Sequence, residues 1–161
     1  MDRTPAFWKD LITSREFLGE ELPLFVPLGR TEQENVFVDL HTLRHVLVCG
    51  DAESGKTTLV HSILNSLLMR CNPEHLRLII VDPKAVEYQA YDSLAHMLTP
   101  VISDAKKTIL VLKWLNKEFE RRVLVLKEHK MRTIEAYHRE IERPAVEKNG
   151  DFGTDVMPEA M

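Results

Sequence analysis

Read for its alternation of apolar and polar positions, the chain opens on a short amphipathic stretch. Phe7, Trp8, Leu11 and Ile12 sit at helical spacing within residues 1–21, which read as a lead-in segment of one or two helical turns. Leu22–Gly29 and Asn35–Leu40 then read as two short strands. The polar run Arg30–Glu34 between them has hairpin length. Pro23 and Pro27 push the first strand towards an edge, since proline cannot donate to a ladder. Val46–Cys49 is a short apolar run of the buried-strand type. Beyond it Leu59, Ile63 and Leu67 recur at helical steps, which predicts a helix over about 56–70, ending near Asn72-Pro73. Leu76–Asp82 is a second continuous apolar run, the pattern of a parallel strand covered on both faces.

The second half is mostly helical. Residues 85–91 suggest a short helical turn, and Leu98–Ile102 a short extended piece. Ser103 or Asp104 is a suitable N-cap for a long helix. That helix carries an apolar stripe of Leu112, Leu115, Phe119, Val123 and Leu126, and Trp114 is expected to support the stripe. A break is expected near His129, with a restart to about Ile141. Residues 143–161, with two prolines, two glycines and few apolar residues, read as a loop or disordered tail. The domain reading is therefore a lead-in over 1–21, one α/β domain over 22–142 and the tail over 143–161.

Between the third predicted strand and its helix lies the stretch that carries chemistry. Gly50-Asp51-Ala52-Glu53-Ser54-Gly55-Lys56-Thr57 matches G-x-x-x-x-G-K-[ST], followed by Thr58. The strand before it and the helix after it are the context that turns the string into a phosphate cradle. Glycines permit close approach and special backbone angles. Loop amides and the new helix N-terminus offer N–H groups to an anion. Lys56 is the residue to reach the β- and γ-phosphates, and the Thr57 hydroxyl the one to sit on Mg²⁺. Gly50, Asp51, Ala52, Glu53, Ser54, Gly55, Lys56, Thr57 and Thr58 are thus the expected ATP-binding residues, with Thr57 as the metal ligand. Asp51 and Glu53 are unusual in a loop built for an anion. Glu53 is expected to point to solvent, which makes Glu53→Gly nearly silent.

Composition changes this picture little. A length of 161 residues suits one domain with a real core, and 44% hydrophobic with 29% charged residues is ordinary for a globular protein. Cys49 and Cys71 read as core thiols of a reducing compartment. No apolar run is long enough to span a bilayer, so a cytoplasmic location without a membrane segment is expected. Net charge is −4, yet residues 105–143 hold 11 Lys and Arg against 6 Asp and Glu. Such a segment is more often a solvated helix face than a phosphate-binding one. The seven histidines show no metal-ligand spacing.

Taken together, the motifs resemble the motor domain of the FtsK/SpoIIIE family of DNA translocases. The likeness runs through Leu40–Thr58, Arg77–Lys84 (RLIIVDPK) with the following Glu87, and His96–Asp104 (HMLTPVISD). It continues through Trp114, Glu118–Arg122 (EFERR) and Arg132–Ile141, so it covers about residues 14–141. The resemblance implies a RecA-like P-loop NTPase with a parallel sheet flanked by helices, preceded by a short N-terminal hairpin. It also implies ATP and Mg²⁺ as cofactors, double-stranded DNA as partner, self-association into a hexameric ring, and a role in chromosome partition or plasmid transport during cell division or sporulation. Full-length relatives often carry a membrane anchor.

Ala52 and Glu53 replace the family's usual Thr and Gly. Asp82 and Lys84 match its strand-end motif, with Asp82 read as a polar strand-end residue rather than the magnesium acid. No apolar run ending in Asp-Glu follows Lys84. A domain incomplete before that strand is therefore expected, with no catalytic residue assigned, and with activity of the chain by itself left open. Three other readings stand beside this one. A secretion or conjugation ATPase of the same superfamily has a similar core. A GTPase needs N-K-x-D, and Asn116-Lys117 lacks the aspartate. A non-catalytic nucleotide-binding remnant fits the absent carboxylates.

Overall fold

The computed structural model describes residues 8–142. Expectations for residues 1–7 and for the tail from 143 lie outside them. The chain divides between Leu78 and Ile79 into two compact units.

In the first unit, α1 (Trp8–Ile12) and α2 (Arg15–Gly19) form the lead-in. The Ser14 hydroxyl caps α2 by accepting from the Phe17 N–H at 3.3 Å. Strands β1 (Phe25–Arg30) and β2 (Asn35–Asp39) pair antiparallel as the expected hairpin. The register runs from Phe25 opposite Asp39 to Arg30 opposite Asn35, with a bulge between Pro27 and Gly29. A bulge is where a strand tolerates the missing N–H of proline. The turn is closed by Thr31, whose N–H donates to the Glu34 carbonyl at 2.8 Å. Its hydroxyl oxygen accepts from Glu34 N at 3.0 Å. A single-turn helix, α3 (Leu40–Leu43), follows under an Asp39 cap, and then α4 (Lys56–Arg70), at the bounds expected from periodicity.

The core of this unit is where α1, α2 and α4 pack on β1. Leu11, Ile12, Phe17, Val26, Leu67 and Cys71 are buried there. Phe17, Phe25 and Phe37 cluster with centroids 5.1–6.3 Å apart. Ser66 is fully buried on α4, yet satisfied: it accepts from Trp8 Nε1 at 2.9 Å and donates to the Ser62 carbonyl at 2.7 Å. Arg70, in the last turn of α4, gathers the lead-in. Its guanidinium donates to the carbonyls of Phe17 (2.8 Å), Leu22 (3.1 Å) and Glu20, and lies 4.7 Å over the Phe17 ring.

One expectation fails here. Among the described residues, Val46–Cys49 takes no strand, Leu47 is 87% exposed, and Cys49 is exposed rather than a core thiol. An apolar run becomes a buried strand only when neighbours take up its N–H and C=O groups and cover its faces. Cys71, by contrast, is buried as expected. Burial pushes its thiol up, partly opposed by the charge of Arg70.

In the second unit, Val81 and Ile102 make a single parallel bridge, secured by Asp82 N to Ile102 O (2.9 Å) and Ile102 N to Ile80 O (3.0 Å). Ile80 and Asp82 are buried, whereas Val81 between them is 40% exposed. The run is therefore covered on one face, with the two-residue period of a strand, and not on both as expected. A 3₁₀ turn spans Gln89–Tyr91, and Tyr91 is buried. The long helix α5 (Ala105–Glu128) starts under Asp104, whose carboxylate accepts from Lys107 N at 2.9 Å. A short helix, α6 (Ile134–Tyr137), restarts after the break at His129 and runs on into a π-helical turn from His138 to Glu142.

The buried residue of α5 is Val111, with Trp114 and Glu118 half-buried on the same side. Of the expected stripe, Leu112, Leu115 and Phe119 are exposed, the last at 66%. Up to Glu118, the covered side of α5 is offset by one residue from the stripe that spacing picked out, because coverage depends on what is packed against a face.

Candidate functional site

The nine residues Gly50–Thr58 form one loop that runs into α4, and the sequence dictates its shape at three points. Gly55 is the N-cap of α4, at φ +88°, a left-handed conformation that strains any residue with a β-carbon. Gly50 instead leaves room for the Ser54 hydroxyl, which would have to turn away from a larger residue. A β-carbon there would stand 2.6 Å from Ser54 Oγ. Glu53 also adopts a left-handed backbone, at φ 62°, and does so with a side chain attached. Ser54 N donates to the Asp51 carbonyl at 3.3 Å, which closes the turn.

Lys56, the first residue of α4, folds its ammonium back onto the loop. Nζ donates to the Gly50 carbonyl at 3.0 Å and to the Asp51 carbonyl. This places the cation over the loop that the helix N-terminus faces. No side chain caps α4, and its first turn holds no acidic residue. The positive end of the helix macrodipole thus faces this loop, a setting that favours an anion. Glu53, Ser54, Gly55, Lys56, Thr57 and Thr58 line an open depression of ≈ 220 Å³ at this end of the helix. Asp51 and Ala52 are exposed and do not line it. Glu53 is exposed, as expected, but belongs to the lining.

Asp82, the other candidate acid, lies in the second unit and is 5% exposed. Its carboxylate closes the turn that follows. Oδ1 accepts from Lys84 N at 3.0 Å, and Oδ2 from Val86 N at 3.1 Å and Glu87 N at 3.0 Å. Burial alone pushes this carboxyl up. The N–H groups of Glu87, Lys84, Val86 and Tyr88 outweigh that and hold it below its ordinary value. A carboxylate so occupied is a turn-former, in line with its reading as a polar strand-end residue. The turn also accommodates Ala85 at φ 54°.

A third feature escaped the sequence reading. Glu118 on α5 accepts from Arg121 Nε at 2.7 Å and Nη2 at 2.8 Å, and from Arg122 Nε at 2.6 Å. The Arg121 hydrogen bonds are the main cause that lowers its carboxyl to about 2, against burial and with help from Arg122. The i,i+3 and i,i+4 spacing in EFERR was the available signal. No comparable signal marks Arg70, whose partners are backbone carbonyls about fifty residues away in sequence.

A glycine loop that feeds an uncapped helix led by a lysine, within a mixed α/β chain, defines a P-loop protein. Comparisons sharpen the class. The description of the FtsK/SpoIIIE family matches residues 9–159, and the chain belongs to that family. It is 35% identical over 150 residues to a DNA translocase FtsK of Mesorhizobium japonicum, covering 92% of this chain and 17% of the relative. A DNA translocase FtsK of Helicobacter pylori is 37% identical over 142 residues, covering 88% of this chain and 17% of the relative. For that of Caldanaerobacter subterraneus the figures are 35% over 136 residues, 84% and 19%. The chain therefore spans less than a fifth of the length of these relatives. Among solved structures, the monomer form of the pCW3 conjugation coupling protein TcpA with ATPγS is similar in fold, at a TM-score of 0.66 and 24% identity. The likeness covers 88% of this chain and 36% of TcpA. No helix among the described residues is long and apolar enough to cross a membrane.

Proposed function

We propose that this chain is the ATP-binding part of a motor that moves double-stranded DNA in chromosome or plasmid transport. The observation that carries the reading is the loop Gly50–Thr58, with the Lys56 ammonium drawn over it and the N-terminus of α4 left without a side-chain cap. ATP binds through the loop amides and Lys56, whose charge-assisted contacts each contribute about 1.5–3 kcal/mol. A hydroxyl is a suitable donor for a hard cation, and Thr57 lines the depression beside Lys56. Thr57 would hold Mg²⁺, which would supply neutralisation of part of the phosphate charge.

The choice of DNA as cargo rests on family membership and on relatives titled DNA translocase FtsK at 35–37% identity. Ring assembly and a cytoplasmic site of action follow the same reading, as does a single NTPase domain over 22–142 preceded by its lead-in. The test is titration of a fluorescent ATP analogue into the wild-type chain and Lys56→Ala. Loss of most of the affinity in the variant supports the assignment; equal binding by both overturns it.

A further inference from the structure

Glu53 is the acidic residue in the lining of the depression. Asp51, two positions earlier in the loop, is exposed outside it. Among the described residues the Glu53 carboxylate has neither ion pair nor hydrogen bond. Lys56, the nearest cation in sequence, directs its ammonium to the carbonyls of Gly50 and Asp51 instead. The lining thus combines donors suited to phosphate with one uncompensated negative charge. Such a charge opposes an anionic ligand in proportion to the ligand's own charge.

We propose that Glu53 makes this loop selective for metal-complexed nucleotide over free nucleotide. The inference rests on the reading of Gly50–Thr58 as a phosphate site. Free ATP carries about two more negative charges than its magnesium complex, because the divalent ion cancels that many. Each ligand charge about 8 Å from a carboxylate, at an effective dielectric constant of about 40, changes affinity roughly fivefold. With screening at an exposed site, the discrimination comes to about three- to fivefold at low ionic strength and fades as salt is raised. Glu53 is then a specificity-determining residue: it lets the loop ignore the uncomplexed species that the Lys56 cation would otherwise attract.

The test is ATP affinity of the full chain, by equilibrium dialysis, in excess Mg²⁺ and in EDTA. Glu53→Gln removes the charge and keeps size and backbone; Asp51→Asn removes a neighbouring charge outside the depression. Glu53→Gln is expected to tighten binding in EDTA roughly tenfold but in Mg²⁺ only about two- to threefold at low salt, with the gap closing near 0.5 M salt. Asp51→Asn is expected to open no such gap. An equal change with and without metal, no change at all, or the same gap in Asp51→Asn overturns the proposal while leaving the phosphate site intact. If the wild-type chain binds no ATP, or Lys56→Ala binds as well as wild type, the phosphate-site reading falls and this inference with it.

Discussion

Replacing Arg70 by alanine tests how the first unit is held together. Its guanidinium satisfies the carbonyls of Phe17, Glu20 and Leu22, which flank the end of the lead-in, and stacks over Phe17. Hydrogen bonds from a charged donor contribute about 1.5–3 kcal/mol each, and a cation over an aromatic face about 0.5–1 kcal/mol at an exposed site. The bond to Leu22 is exposed, those to Phe17 and Glu20 part-buried. Water can replace the exposed one at little cost, and contacts of one side chain do not add. A loss of about 3 kcal/mol is therefore expected for local opening, which is roughly a 150-fold change in the opening equilibrium. Hydrogen exchange of the segment 15–25, followed by mass spectrometry, reads this equilibrium without requiring the chain to melt in one step. Arg70→Lys keeps the charge but loses the fork, so it should recover less than half of the protection. Exchange in Arg70→Ala within threefold of wild type would refute the reasoning, as would faster exchange spread evenly over residues 79–142.

The Glu118 carboxyl is lowered from 4.5 to about 2, so its contribution to stability is present above pH 4.5 and is lost as pH falls towards 2. The full shift corresponds to roughly 3 kcal/mol, but Arg121 and Arg122 are 54% and 59% exposed, which reduces the expectation to about 1 kcal/mol. The stability difference between wild type and Glu118→Gln, measured in urea, should shrink across that window; a difference independent of pH would contradict it. Gly55→Ala places a β-carbon at φ +88° with no neighbour to strike, so its cost is purely backbone, about 1–2 kcal/mol, with up to about tenfold weaker ATP binding. Calorimetric titration checks it, and unchanged affinity would show that the loop tolerates another backbone at that position.

How much of this was legible beforehand depended on the range of the interactions involved. Helix α4, the hairpin and the Asp104 cap are local matters of periodicity, turn residues and one side-chain bond, and each stands where the pattern put it. The loop was legible for the same reason: its glycines answer needs within six residues of themselves. The fate of Val46–Cys49 and of the α5 stripe was not, because an apolar pattern states what a segment can bury but not what covers it. Asp82 shows the intermediate case. A lone acid at a strand end is ambiguous in sequence, and only the four backbone N–H groups turned towards it identify it as the closure of a turn. Arg70 marks the limit, since nothing in its neighbours along the chain announces three distant carbonyls.

The grip on α4 has a mechanical side. The helix is fastened at its far end by Arg70 and near it by the bond from Trp8 to Ser66, while its first residue carries the lysine of the loop. Fifteen residues make a rod about 22 Å long, stiff along its axis. A rod pinned at one end cannot absorb a displacement imposed at the other. It either forces the near end to yield, here the loop with its left-handed joints at Glu53 and Gly55, or it hands the motion on to α1 and α2. The lead-in segment is in this sense an anchorage for the loop, and its hold on the helix sets how compliant that loop can be.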